Sequence, residues 1–154
     1  MVQVQKATLG SGDYSISGLT DRVAVERKSL EDLYSTLTFG RDRFVRELQR
    51  LASFDYSAVV VEASLEAIIS RPPPYTDISP KSIYRSILAF SQRYPSTHWF
   101  TLDSRRLAEV TTYRILERFW VDEESGLRQG MTQPEGMTTN ADDGNREAES
   151  IGLG

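Results

Sequence analysis

The segment SAVVVEA, residues 57–63, is the sequence feature that most restricts the fold. It contains four consecutive apolar residues, three of them valine, and so favours an extended strand with no polar side for solvent. A strand of this kind is typical of a sheet that helices cover on both faces. We therefore expect residues 57–63 to form a fully buried strand inside an α/β domain.

The rest of the chain up to Trp120 alternates between strand and helix patterns. Residues 2–9 and 13–17 both have strand character, and we expect 13–17 to form a hairpin with 22–28 through the turn SGLTD. Further elements are expected as a helix from Ser29, a helix at 41–52, a helix at 80–93, a strand at 97–102 and a last helix ending near Trp120. This order predicts an α/β fold with a mixed β-sheet flanked by helices.

Polar residues indicate where the helices begin. Ser29 and Asp32 have the spacing of a capping box, a signature of a helix start. Ser79 and Pro80 fit the N-cap and first turn of the helix at 80–93. Asp103 or Ser104 is expected to cap the last helix.

The charge of the chain is unevenly distributed. Residues 121–154 carry eight acidic residues and two arginines, whereas residues 1–120 carry sixteen basic and fourteen acidic residues. The segment after Trp120 also has no aromatic residue and six of the ten glycines. Such a composition offers too little apolar surface to offset the entropy of ordering. We expect one folded domain over residues 1–122 and a disordered, acidic, glycine-rich tail over 123–154. Without the tail, the domain is mildly basic.

Several classes of protein are disfavoured by composition. The chain has no cysteine, and therefore no disulfide framework and no thiolate metal site. No run of apolar residues is long enough to span a membrane, and the first ten residues lack the pattern of a signal peptide. We expect a cytoplasmic protein that makes no membrane contact.

A group of charged residues ends the strand at 22–28. Successive strand residues point to opposite faces, so Glu26 and Lys28 share one face and Arg27 lies on the other. If the hairpin forms, Asp13 lies near Glu26 at the same end of the sheet. Two carboxylates and a lysine suit metal-assisted hydrolysis of a phosphodiester, because Mg²⁺ prefers oxygen ligands and a lysine stabilises the negative phosphate.

The segment GDYSISGLTDRVAVERKSLED resembles the motif of the XPF-type (excision-repair) structure-specific endonucleases, within the PD-(D/E)XK nuclease superfamily. In this chain the motif consists of Gly12-Asp13, twelve residues, Glu26-Arg27-Lys28, three residues, and Asp32. The similarity continues through GRDRFVRELQRL and VVVEAS, and so extends over roughly residues 8–120. The complete motif in its helical context is far more specific than an isolated Glu-x-Lys.

The resemblance implies a restriction-endonuclease-like fold, dependence on Mg²⁺ or Mn²⁺, and cleavage of DNA near branches, flaps or junctions. It implies that Asp13 and Glu26 are metal ligands and that Lys28 is the catalytic lysine. Gly12, Arg27 and Asp32 match supporting positions of the motif. DNA repair, recombination and junction processing all fit such an enzyme.

Some candidate residues have two interpretations. The cap position of Asp32 accounts for that residue structurally. Glu62 ends the buried strand, where it either supports the site or reaches solvent. Four arginines of the second helix either follow a phosphate backbone or form a solvated helix face: Arg41, Arg43, Arg46 and Arg50.

The chain also departs from the family pattern. Members usually have an earlier strand that adds acidic groups to the site, but none of the twelve residues before Asp13 is acidic. The alternatives are therefore a catalytically weakened DNA-binding relative, or a non-catalytic dimerisation or interaction domain. Because the family often dimerises, a homodimer is expected through apolar residues near the end of the last helix: Ile115, Leu116, Phe119 and Trp120.

Overall fold

The computed structural model describes residues 5, 9–74 and 76–127. Three strands alternate with five helices in these ranges. In chain order they are β1 (Val23–Lys28), α1 (Leu30–Leu37), α2 (Arg41–Leu51), β2 (Tyr56–Val61), α3 (Leu65–Ser70), α4 (Pro80–Arg93), β3 (Thr97–Thr101) and α5 (Arg105–Glu124). The expected α/β fold with helices on a sheet is confirmed.

The three strands form one sheet in the order β1-β2-β3, and both pairings are parallel. Parallel neighbours require a crossover connection. Helices α1 and α2 connect β1 to β2, and α3 and α4 connect β2 to β3. The central strand β2 is inaccessible to solvent from Ser57 to Val61, as the apolar run at 57–63 predicts.

The two faces of the sheet pack against different helices. Val59 and Val61 face a large core built with α1, α2, α3 and α4, in which Leu33, Leu48 and Phe90 are fully buried. Val25, Ala58 and Val60 face a smaller core closed by α5. Residues of β1 with even numbers therefore lie on the α1–α2 face, and those with odd numbers on the α5 face.

The antiparallel part of the sheet is smaller than the sequence predicts. Within the described residues, the expected hairpin of 13–17 with 22–28 consists of an isolated bridge between Tyr14 and Val25. Two turns over residues 17–22 follow, so residues 15–17 leave the strand direction before a ladder can form. The strand expected at 2–9 lies outside the described residues except for residues 5 and 9.

Helix boundaries follow the capping chemistry. The hydroxyl groups of Ser29, Ser64 and Ser104 accept hydrogen bonds from backbone N–H groups at the starts of α1, α3 and α5. Helix α3 was not expected, because six residues are too few to show helical periodicity. No described helix is long and apolar enough to cross a membrane.

Helix α5 continues past Trp120, where the sequence pattern ends, to Glu124. Its last turn is attached to the start of β1, since the Arg22 guanidinium donates to both carboxylate oxygens of Glu123, at 2.5 and 2.9 Å. Arg22 also donates to Asp55 at 2.6 Å. One arginine thus connects α5, β1 and the loop before β2.

We expect chain truncation to distinguish this attachment from the acidic segment that follows it. A chain ending at Leu127 keeps the Arg22–Glu123 pair and should melt close to the full-length protein. A chain ending at Trp120 loses Glu123 and the last turn of α5, and should melt at least a few degrees lower. Thermal denaturation of both chains checks this. A large fall for the chain ending at Leu127 would contradict the expectation that the tail is dispensable.

Candidate active site

Glu26 and Lys28 form a buried ion pair at the end of β1. The Lys28 Nζ lies 2.8 Å from the Glu26 Oε1, and the two residues are only 8% and 7% exposed. The Lys28 ammonium also lies 5.2 Å from the centre of the Phe44 ring, on α2. The pair lies at the carboxyl end of a parallel strand, where α/β sheets commonly place functional groups.

The carboxyl group of Glu26 holds its proton more tightly than an ordinary glutamate. Burial raises the pKa of Glu26 to about 7, and the ammonium of Lys28 opposes that rise. The negative charges of Glu47 and Asp13 raise this pKa further. The site therefore contains a carboxylate whose charge changes near neutral pH, in the field of two other carboxylates.

Asp13 is held against β1 by its backbone and its side chain. Its N–H donates to the Val25 carbonyl at 3.0 Å, and its Oδ2 accepts a hydrogen bond from the Arg27 N–H at 2.8 Å. The preceding Gly12 has φ +76°, and a Cβ there would meet the Ala24 Cβ at 2.8 Å. Glycine and alanine at these two positions allow the Asp13 turn to lie directly on the strand.

Arg27 lies on the opposite face of β1, as the period of the strand predicts. Its Nη2 lies 2.5 Å from the Glu62 Oε1 and 3.6 Å from Glu109 on α5. Its Nη1 donates to the Tyr14 hydroxyl at 3.2 Å. Glu62 is thus paired with Arg27 across the end of the sheet, and this pair joins β1, β2 and α5.

The structure separates Asp32 from this group. Its backbone N–H donates to the Ser29 hydroxyl at 3.1 Å, which is the expected N-cap bond of α1. Its side chain is exposed on the first turn of that helix. Because this bond uses the backbone of Asp32, it fixes the position of the residue on α1 and does not depend on its carboxylate.

The four arginines of α2 have different environments. Arg41 donates to the Ser86 hydroxyl at 2.8 Å and lies 4.9 Å from the Phe90 ring centre, so it connects α2 to α4. Arg50 donates to the Ser11 hydroxyl at 2.9 Å. Arg43 and Arg46 are exposed. Arg50 is exposed as well. Contact of these arginines with a phosphate backbone stays a prediction, beside the alternative of a solvated helix face.

Sequence reasoning did not identify Glu47. This residue lies on α2, and its Oε1 accepts a hydrogen bond from the Gly12 N–H at 3.1 Å. It follows Phe44 by three residues and precedes the buried Leu48, so helical periodicity places it at the border of the buried face. This periodicity could have identified Glu47, but the neighbouring arginines favour the interpretation of α2 as a helix with a solvated basic face.

The donor groups fit a hard divalent cation. Asp13 and Glu26 offer carboxylate oxygens, and Mg²⁺ in proteins is often held by one or two carboxylates together with water and substrate phosphate. Among the described residues, however, no group of three or more acidic or histidine side chains is arranged to hold a metal ion. The site thus fits a cation that takes most of its ligands from water and substrate.

We expect Glu26 to make stability depend on pH. The folded protein keeps the Glu26 proton up to about pH 7, whereas the unfolded chain releases it near the ordinary value of 4.5. The contribution of Glu26 to the free energy of unfolding is therefore complete below pH 4.5. It is lost as pH rises through 7, by up to about 3 kcal/mol. Denaturant unfolding from pH 5 to pH 8 in EDTA should show the wild-type free energy falling relative to that of Glu26→Gln.

The matched control is Glu31→Gln, which changes an exposed carboxylate on α1. Its free energy of unfolding should remain parallel to that of the wild type over the same range. A constant difference between the wild type and Glu26→Gln would show that Glu26 titrates as an ordinary exposed residue.

Comparisons with known proteins agree with the fold of this chain. XPF from Aeropyrum pernix is similar in structure, with a TM-score of 0.53 and 24% sequence identity, over 80% of this chain and 56% of that one. XPF from Aeropyrum pernix in complex with DNA has a TM-score of 0.50 and 25% identity, over 75% of this chain and 52% of that one. The chain therefore spans little more than half the length of these two proteins.

A comparison with curated proteins finds no match. The family model of the ERCC4 domain matches residues 1–113, a range that includes Asp13, Glu26, Lys28 and the whole three-stranded sheet. The chain therefore belongs to the ERCC4 domain family.

Proposed function

We propose that this protein is a metal-dependent endonuclease that hydrolyses DNA phosphodiester bonds, at branched, flap or junction structures. The observation that carries the proposal is the buried Lys28–Glu26 pair, 2.8 Å apart at the end of β1 beside the Asp13 turn. A scaffold gains little from such a pair, because burying two charges costs about as much as their attraction returns. A phosphodiesterase needs both a carboxylate for the cation and a positive group for the phosphate.

Each residue has a distinct role in this proposal. Asp13 and Glu26 would hold Mg²⁺ or Mn²⁺, which supplies charge neutralisation at the phosphate and a more acidic bound water. Lys28 places its ammonium at the same end of the sheet, where it stabilises negative charge that develops on the phosphate. The Phe44 ring supports that ammonium at 5.2 Å. Arg27 holds Asp13 through its backbone N–H and anchors the strand end to Glu62.

DNA is the substrate class that best fits these features. One solved structure similar to this chain is XPF from Aeropyrum pernix in complex with DNA. The exposed Arg43 and Arg46 lie on α2, the helix that contributes Phe44 to the site. Contacts between arginines and phosphates carry no information about the base sequence. The shape of the DNA rather than its sequence would therefore determine the preferred substrate.

A second candidate is a catalytically weakened relative that still binds DNA. The supporting observation is that the described residues present no group of three or more acidic or histidine side chains arranged to hold a metal ion. A site with two carboxylates binds the cation more weakly and depends on substrate oxygens. Cleavage assays separate this candidate from the first.

We expect Lys28→Ala and Glu26→Gln to abolish or strongly reduce cleavage and to leave DNA affinity largely intact. Affinity comes from many contacts between basic residues and phosphates, whereas catalysis depends on a few groups at one phosphate. Loss of Lys28 should lower the rate about hundredfold, or roughly 3 kcal/mol. Cleavage is measured with Mg²⁺, Mn²⁺ or EDTA on flap, fork, Holliday-junction and linear DNA, and affinity with Ca²⁺.

The controls are Lys81→Ala, an exposed lysine on α4, and Glu31→Gln. Both should cleave at the wild-type rate. The melting temperatures of all four variants are measured to check that each is folded. Unchanged cleavage by Lys28→Ala and Glu26→Gln would remove the assignment of this site. Failure of the wild type to cut any branched substrate, with binding retained, would favour the weakened relative.

A homodimer is a further part of the proposal. The residues proposed for its interface differ from those that the sequence suggests. Phe119 is 1% exposed, and Ile115 and Leu116 pack against the core under α5. Of the four residues expected at the interface, Trp120 alone is well exposed, at 42%. Other apolar residues exposed on α5 include Val110, at 48%, ten residues earlier in the helix. This exposed side of α5 is the better candidate for an interface.

We expect light scattering at tens of micromolar to give twice the 17.4 kDa mass of one chain. Val110→Glu should lower this mass towards that of the monomer, because a charge would be buried in the interface. Leu88→Glu is the matched control, since Leu88 is 43% exposed on α4 at the other face of the sheet. A monomeric wild type would remove the dimer from the proposal.

A further inference from the structure

Helix α2 contacts the candidate site through three residues that are spaced by three. Phe44 lies under the Lys28 ammonium at 5.2 Å, Glu47 accepts the Gly12 N–H at 3.1 Å, and Arg50 donates to the Ser11 hydroxyl at 2.9 Å. Residues three apart are neighbours on a helix surface. One side of α2 therefore contacts both the strand that carries Lys28 and the segment that leads to Asp13.

Residues 10–13 belong to no strand. Among the described residues, the hydrogen bonds of this region to β1 begin at Asp13 and continue with the bridge at Tyr14. Even so, Ser11 is only 7% exposed, which places it under the Arg50 side chain and against the domain. The bonds to Glu47 and Arg50 fall on the two residues immediately before Asp13.

We propose that Glu47 and Arg50 are positioning residues that clamp the Ser11–Gly12 segment onto α2 and thereby fix the Asp13 carboxylate for the cation. This inference rests on the proposed function of the site. It gives Arg50 a role other than the two that the sequence leaves open, because its guanidinium donates to the Ser11 hydroxyl. It also explains a half-buried acidic residue beside the site that the Glu-Arg-Lys motif does not include.

The clamp acts on Asp13 from the side that β1 leaves open. The strand fixes Asp13 through the Val25 carbonyl and the Arg27 N–H, both downstream of the turn. The bonds of Glu47 and Arg50 fix the chain upstream of it. Without them the described part of the turn keeps only its bonds to β1, and the Asp13 carboxylate samples more orientations. Loss of a partner that orients a metal ligand commonly lowers metal affinity about tenfold to hundredfold.

Glu47→Ala and Glu47→Gln together test the clamp. Both remove the charge, but the glutamine amide oxygen still accepts the Gly12 N–H. We measure hydrogen exchange of the Gly12 amide in the metal-free protein by NMR, and Mn²⁺ and Mg²⁺ affinity by calorimetry. Glu47→Ala should speed exchange at Gly12 about tenfold or more and weaken metal binding about tenfold or more. Glu47→Gln should keep exchange near the wild-type rate and lose clearly less affinity.

Two further variants complete the design. Ser11→Ala removes the Arg50 bond without altering α2, and should also weaken metal binding if Glu47→Ala is too unstable to study. Asp42→Ala is the control, an exposed acidic residue on the same helix. Asp42→Ala should change neither the exchange rate of the Gly12 amide nor the metal affinity.

Each outcome bears on one of the two proposals. Wild-type metal affinity in both Glu47→Ala and Ser11→Ala, or equal losses in Glu47→Ala and Glu47→Gln, would overturn positioning through the hydrogen bonds. A wild type that binds no cation would contradict the proposed function. In that case the Gly12 exchange rate in Glu47→Ala still decides whether the clamp exists, and an unchanged rate would overturn it.

Discussion

The buried contact between Lys28 and Glu26 is the interaction on which the arrangement of the site depends. Each of these side chains is less than a tenth exposed. Removing one partner of a buried pair leaves the other charge without compensation, which commonly costs about 3–5 kcal/mol. The pair also determines its surroundings. The Phe44 ring covers the ammonium, and Glu47 and the Asp13 turn adjoin the carboxylate. A hydrophobic pair of similar volume would be at least as stable, so stability alone does not explain why this strand ends in charge.

The parallel sheet makes that position possible. In a parallel sheet every strand ends at the same edge, and the crossover helices leave that edge accessible. Lys28 lies opposite Val61 in the register, and the Glu62 N–H donates to the Lys28 carbonyl at 2.8 Å. In the sheet that the described residues form, β1 is the edge strand, and the turn at Gly12 approaches it from the outer side. Ala24 has no side chain beyond Cβ, and its small size makes this approach possible.

Much of this architecture could be predicted from local sequence patterns. The apolar run at 57–63, the capping serines and the alternation of β1 are short-range signals, and they located the strands, the main helices and the face shared by Glu26 and Lys28. Contacts between distant segments could not be read in this way. The Glu47 bond to Gly12 joins residues 35 positions apart, and the Arg22 pair with Glu123 joins residues 101 positions apart. The hairpin at 13–17 was overestimated, because turn residues ended the pairing after a single bridge.

The three consecutive charges of β1 serve two faces of the sheet. Glu26 and Lys28 lie on the face of α1 and α2, where they form the buried pair of the candidate site. Arg27 lies on the face of α5, where it bonds to Glu62 and Tyr14 and approaches Glu109. Its backbone N–H, however, holds the Asp13 carboxylate at 2.8 Å. The middle residue of the motif therefore couples the sheet to α5 with its side chain and orients a candidate metal ligand with its main chain, so the strand end cannot move without moving Asp13.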